Sequence, residues 1–194
     1  MRFQKTVKAL VCVLAVFAMA QQAGSQQAAV YPKVVYVFRH AEKPVNPAPD
    51  DPHRRDLTAR GYERAKAIPS LFVEGGRFLR PDTIFATLGS KNSDREVETA
   101  TPLAAALGLT LNIAYKEEEY PKLDKEVLSG KYAGKVVLIC WHHGTIPPLA
   151  AGLGVQDPPK WPDLQFDRVW KIEWKNGKAV MTDLPEKLMP GDSQ

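Results

Sequence analysis

The run Val34-Val35-Tyr36-Val37-Phe38 contains no polar position on either side of a period-two alternation. A strand of this kind must be covered on both faces, which restricts the chain to layered folds with a sheet between helices. The apolar run Val136-Val137-Leu138-Ile139-Cys140 repeats the pattern near the other end of the chain. The patterning predicts strands over 34–38, 83–86 and 135–140. Between them, Thr58 can cap a helix over about 59–71, and Gly75-Gly76 and Pro81 break the chain. Ser93 or Asp94 can cap a second helix to Leu107, which Gly108 stops. Shorter helices are expected over 121–128 and 147–152. Asn176-Gly177 then joins two strands, over 168–174 and 178–183, as a hairpin. Alternating strands and helices imply an α/β three-layer sandwich with a mostly parallel central sheet, helices on both faces and a C-terminal β-hairpin.

A length of 194 residues suits one domain with a sizeable core. The first twenty residues stand apart from it. Arg2, Lys5 and Lys8 precede an apolar run over 9–20, and Ala18-Met19-Ala20 forms a small-x-small cleavage site. The run is shorter than the roughly 20 residues that span a bilayer, so a cleaved signal peptide over 1–20 is expected rather than an anchor. A flexible Gln- and Ala-rich lead-in over 21–32 and a domain over 33–190 follow, and the mature protein would be periplasmic or secreted. Removing the signal takes the formal charge from +4 to about +1, which gives no reason to expect nucleic acid or an acidic membrane as partner. Cys12 lies in the signal, which leaves Cys140 without a disulfide partner. As the last residue of an apolar run, Cys140 reads as a buried, inert thiol.

Three places fall where a parallel sheet presents chemistry, just past the C-terminal ends of its strands. They are Arg39-His40, the stretch leading to Arg95, and His142-His143. Arginine offers a planar fork for phosphate oxygens, and an imidazole that titrates near neutrality can act as a nucleophile or acid. A lone histidine after a strand is more often a surface residue, so it is the convergence of three such sites that points to function. Arg95 has a plainer alternative, as partner of Glu98 or Glu42. His142-His143 has no accompanying Cys, His or carboxylate set at metal-ligand spacing. The proline-rich segment 43–55 is a surface excursion, where His53 is exposed and Arg54 and Arg55 could help hold an anion. Trp161, Trp170 and Trp174 read as packing residues around the tail.

Arg39-His40-Ala41-Glu42 resembles the Arg-His-Gly-Glu motif of the histidine phosphatase superfamily, which includes the phosphoglycerate mutase-like phosphatases. Leu57-Thr58-Ala59-Arg60-Gly61 is similar to that family's Leu-Thr-x-x-Gly helix start, and Arg95-Glu96-Val97-Glu98-Thr99-Ala100 to its Arg-x-x-x-Thr-Ala element. His143-Gly144 resembles the second catalytic histidine, with His142 as the competing choice. The matches run in family order from Val34 to about Gly154, and the tail hairpin is similar to that of secreted members. Ala41 departs from the family's glycine, and the chain between Thr87 and Arg95 is longer than usual.

The resemblance implies a phosphomonoesterase acting on a phosphorylated small molecule, with neither metal nor organic cofactor. His40 would be transiently phosphorylated, with Arg39, Arg95 and His143 holding the phosphoryl group. The proton donor would come from the acidic run Glu117-Glu118-Glu119, for which Glu118 stands as placeholder and His142 as rival. A phosphomutase, or a non-catalytic phosphate-binding module of the same fold, are the alternatives. Oligomeric state is open.

Overall fold

The computed structural model describes residues 30–194. The expected signal peptide and residues 21–29 lie outside the described residues. At the end of the lead-in, Tyr31 stacks on Trp174 with ring centroids 5.2 Å apart, and its carbonyl accepts from Gly134 N–H. Ordered contacts therefore begin before residue 33, and they extend past 190 to Asp192 and Ser193.

Six strands form one sheet: β1 (Val34–Arg39), β2 (Thr83–Thr87), β3 (Leu111–Tyr115), β4 (Val136–Trp141), β5 (Arg168–Lys175) and β6 (Lys178–Pro185), in the spatial order β3-β2-β4-β1-β5-β6. The pairs β2–β3, β2–β4 and β1–β4 are parallel, whereas β5 and β6 run antiparallel. The expected mixed sheet with a late hairpin is what forms. The turn residues Asn176 and Gly177 have φ of 52° and 75°, which a tight hairpin of this hand requires. β3 was not expected: its residues are intermediate or exposed, so no apolar run marks it. It forms at the sheet edge because β2 offers it a free ladder.

The alternating side chains of the central strands fill two separate cores. On one face Val34, Tyr36, Phe38, Leu138 and Cys140 pack under the 3-10 turn Ile68–Leu71 and α2 (Arg95–Leu107), against which α1 (Ala59–Ala67) packs in turn. On the other, Val35, Val37, Ile139 and Trp141 pack under α3 (Tyr120–Val127) and α4 (Ile146–Gly152). Every residue of β1 and of β4 is buried, as a two-faced strand demands. The helix expected over 59–71 gives way to a 3-10 turn at Ile68, where Pro69 supplies no amide hydrogen. α2 ends where expected, with Gly108 at φ 64°.

Cys140 is fully buried, and burial holds its thiol well above the usual range, so the inert reading stands. Trp161 and Trp170 are buried packing partners with centroids 5.0 Å apart. No helix among the described residues is long and apolar enough to cross a membrane.

The loops after β1 and β4 leave the sheet toward opposite faces. β1 leads to α1, beside the helix that covers one core, and β4 leads to α4 over the other. A crevice at the ends of two adjacent parallel strands results, the place where open α/β sheets bind ligands.

Candidate active site

Register places the histidines. Arg39 pairs with Trp141 across β1 and β4, so the next residue of each strand, His40 and His142, leaves the sheet side by side. Their ring centroids are 6.1 Å apart, and His142 is 4.3 Å from His143. One ring nitrogen from each of His40, His142 and His143 lies within 4.8 Å of the other two. The sequence motifs thus meet in one cluster.

His40 is fully buried. Its Nδ1 lies 2.7 Å from the Ala41 carbonyl, which fixes the proton on Nδ1 and leaves the Nε2 lone pair without a partner. Burial, then the Arg39 charge, holds its pKa well below the ordinary histidine value, so the ring is neutral at pH 7. Ala41 has no positive φ, so the family glycine is dispensable here. The Ala41 N–H donates to Thr99 Oγ1 at 2.9 Å, and that hydroxyl donates to the Arg95 carbonyl at 2.6 Å. The threonine of the Arg-x-x-x-Thr-Ala element therefore ties the start of α2 to the loop carrying His40. The Leu-Thr-x-x-Gly element acts on the same loop: Thr58 N–H donates to the Glu42 carbonyl at 2.9 Å. A Cβ on Gly61 would sit 2.3 Å from that carbonyl, so only glycine lets α1 approach so closely.

Glu42 is held in turn by Arg64, which is buried and also bonds Glu186 and Asp192 of the C-terminal segment. The tail beyond the hairpin thereby braces the loop next to His40.

Arg39 is buried, and segment 163–166 wraps it. Nη1 donates to the carbonyls of Asp163 (2.7 Å) and Gln165 (3.2 Å), and the guanidinium carbon lies 4.0 Å from the Phe166 ring centroid. Nε and Nη2 are buried and have no partner. Burial lowers the pKa to about 10, which still leaves a full cation at pH 7. Arg95 does not take either alternative partner: Glu98 accepts from Leu57 N–H and Tyr62, while Glu42 takes Arg64 and Arg60. Arg95 instead bonds the backbone carbonyls of Arg54 and Asp56, which anchors the proline-rich loop to α2. Arg55 is engaged by Asp94 and Arg54 by the Pro49 carbonyl, while His53 is exposed beside Asp56, 3.0 Å away.

Of the three glutamates, the structure brings Glu117 to the histidines, in place of Glu118. Glu117 Oε1 lies 2.9 Å from His142 Nδ1 and 3.1 Å from Thr145 Oγ1. Glu118 is exposed and has no side-chain hydrogen bond among the described residues. The His142 contact holds the Glu117 carboxyl below its usual range. Gly144 N–H is also 3.2 Å from His142 Nδ1, but an ionised carboxylate is the stronger partner, so the His142 proton sits on Nδ1. His143 lies in the mouth of the site: burial and the charges of Arg39 and His142 lower its pKa to about 4, and its Nε2 is 3.7 Å from Asp163. Sequence reasoning missed segment 163–166 because its contribution to Arg39 is made largely by carbonyls, which carry no residue signature.

The histidine trio extends the pair seen in sequence, since the third imidazole arrives from a distant strand. Three imidazoles can ligate a metal. Here Arg39, Arg95 and the half-buried Lys43 share their electrostatic surroundings, and a field of fixed cations selects an anion. The buried nitrogens of Arg39 and His40 that have no partner among the described residues leave two N–H groups and one lone pair free to meet such a ligand.

The fold is that of the histidine phosphatases and phosphoglycerate mutases. Over 79% of this chain and 97% of the other, it matches the protein histidine phosphatase SixA complexed with tungstate, at TM-score 0.56 and 14% identity. A phosphoserine phosphatase from Entamoeba histolytica in complex with 3-phosphoglyceric acid matches over 77% of this chain and 94% of its own, at TM-score 0.53 and 14% identity. A phosphoglycerate mutase from Bacillus anthracis matches over 80% and 94%, at TM-score 0.52 and 13% identity. No protein-family model matches the chain, and no curated protein matches it by sequence.

Proposed function

We propose that the protein is an exported phosphomonoesterase that works through a phosphohistidine on His40, without metal or organic cofactor. The observation that carries this reading is the buried Arg39-His40 pair, whose Nε, Nη2 and Nε2 atoms have no partner among the described residues. Burying such groups is costly unless a ligand satisfies them. Export rests on the pattern of the first twenty residues.

In this mechanism the His40 Nε2 lone pair attacks phosphorus while the proton stays on Nδ1, donated to the Ala41 carbonyl. Arg39, Arg95 and His143 hold the equatorial oxygens as charge redistributes among them. The P–O bond to the leaving alcohol breaks, and that oxygen takes the Nε2 proton of His142, which enters the step as an imidazolium held at Nδ1 by the ionised Glu117 and leaves it neutral. Water then attacks phosphorus and gives a proton to His142 Nε2, the P–N bond breaks with its electron pair returning to His40 Nε2, and inorganic phosphate departs. The fold neighbours include phosphatases and a mutase, and a mutase would need a second substrate as acceptor.

The test is turnover of an aryl phosphate by the mature protein and by His40→Ala, with acid-labile phosphate trapped on the protein. The expected result is turnover and trapping by wild type only, unaffected by a chelator. Equal turnover in the two proteins, or none in wild type, defeats the reading. Phosphate binding without turnover would favour a non-catalytic module.

A further inference from the structure

The two most exposed large apolar side chains among the described residues are Leu164 (78%) and Val45 (76%). Both line one cavity of about 360 Å³, together with Arg95, His143, Lys43 and Asp163. Isolated exposed apolar residues need no explanation, but two at the mouth of one cationic cavity do.

Neither residue sits on a free loop. Leu164 lies between Asp163 and Gln165, whose carbonyls both accept from Arg39 Nη1, so the backbone that presents Leu164 is tied to the guanidinium itself. Phe166, two residues on, packs against the same guanidinium. Val45 lies between Pro44 and Pro47, beside Asn46 at φ 49°, and prolines restrict the backbone on both sides. Side chains held out to solvent by fixed backbone lose little entropy when a ligand covers them. The cavity is at the small end of ligand sites, with room for a compact body, and His143 and Asp163 in its wall join it to His40 and Arg39, which lie outside the lining.

From this juxtaposition we infer that the protein selects small phosphomonoesters whose alcohol carries an alkyl or aryl body, which Val45 and Leu164 grip while the phosphoryl group meets the arginines. The inference rests on the phosphate-site reading above and adds to it the chemistry of the leaving group. A sugar or a second anion would leave both apolar side chains in water, and a folded phosphoprotein is too large for the cavity itself.

Phosphonates test this without requiring turnover, because their P–C bond is not cleaved. Affinities of hexylphosphonate and methylphosphonate are measured calorimetrically for wild type, for the Val45→Ser/Leu164→Ser double variant and for Leu164→Met. Wild type is expected to favour hexylphosphonate about tenfold, the gain from burying roughly two methylenes. The double variant is expected to lose most of that ratio, and Leu164→Met to keep it. Both positions are exposed, so the variants retain the fold, which thermal unfolding verifies.

A wild-type ratio within about twofold, a ratio that survives the double variant, or no binding of either phosphonate overturns the inference. The first of these would leave a larger, macromolecular substrate as the occupant of the rim. If the ratio behaves as expected while aryl phosphate is not turned over, the catalytic reading fails and the apolar selectivity stands.

Discussion

Replacing Thr99 with valine separates the brace behind the nucleophile from the nucleophile itself. Thr99 and Ala41 are both fully buried, and the 2.9 Å bond from Ala41 N–H to Thr99 Oγ1 is the only partner that amide has among the described residues. Valine keeps the shape and removes the hydroxyl, so no cavity opens but one buried N–H is orphaned. Such a loss costs about 1–3 kcal/mol, which for a domain of this size lowers the unfolding midpoint by roughly 3–10 °C. The same bond fixes Ala41, the residue whose carbonyl orients His40 Nδ1. Turnover of aryl phosphate by Thr99→Val should therefore fall further than inhibition by inorganic phosphate weakens. Thr99→Ser keeps both hydrogen bonds and loses a methyl, so it should lose about 1 kcal/mol of stability yet retain most of its kcat. The measurements are thermal unfolding by circular dichroism and steady-state kinetics on the three proteins. If Thr99→Val unfolds within a degree of wild type at equal kcat, the brace has no energetic or positional role.

Glu117→Gln should lower kcat, and more severely for an alkyl phosphate than for an aryl phosphate, whose leaving oxygen needs less help from a proton. Glu118→Gln should change neither, and equal effects from the two substitutions would remove Glu117 from the proton path. Gly61→Ala drives a Cβ to 2.3 Å from the Glu42 carbonyl, so a loss of about 1–3 kcal/mol in denaturant unfolding is expected; a neutral result would show that α1 can back away freely. Titration of the imidazoles by NMR should find His143 near pH 4, with His40 also protonating well below the ordinary histidine value. Both folded pKa values lie below their unfolded ones, so the unfolded chain binds more protons as pH falls from about 6.5. Stability from these two rings is thus complete above that pH and declines below it, and either ring titrating at or above 6.5 would contradict the burial argument.

Strands buried on both faces announce themselves by composition, which is why β1, β4 and the layered fold are legible in the chain, and why His40 could be placed at a strand end. The hairpin was legible through Asn176-Gly177, whose positive φ angles few other residue pairs tolerate. Thr99, Gly61 and Arg39 were visible as parts of motifs, although what each bonds was not. Edge strand β3 was hidden because its half-exposed residues carry no periodicity, and only the free ladder of β2 defines it.

Linear order determined which residue types reach the crevice. Tertiary structure decided which of several like neighbours faces it. Glu117, Glu118 and Glu119 are identical in sequence, and within a 3-10 turn each points about 120° from the next, so the approach of β4's loop selects Glu117. Likewise His142 and His143 divide into one ring beside His40 and one at the mouth through the Arg39–Trp141 register. The grip on Arg39 comes from carbonyls of segment 163–166, and backbone carbonyls are the same in every residue. Side-chain chemistry is written residue by residue, whereas direction and distance exist only once the sheet has set its register.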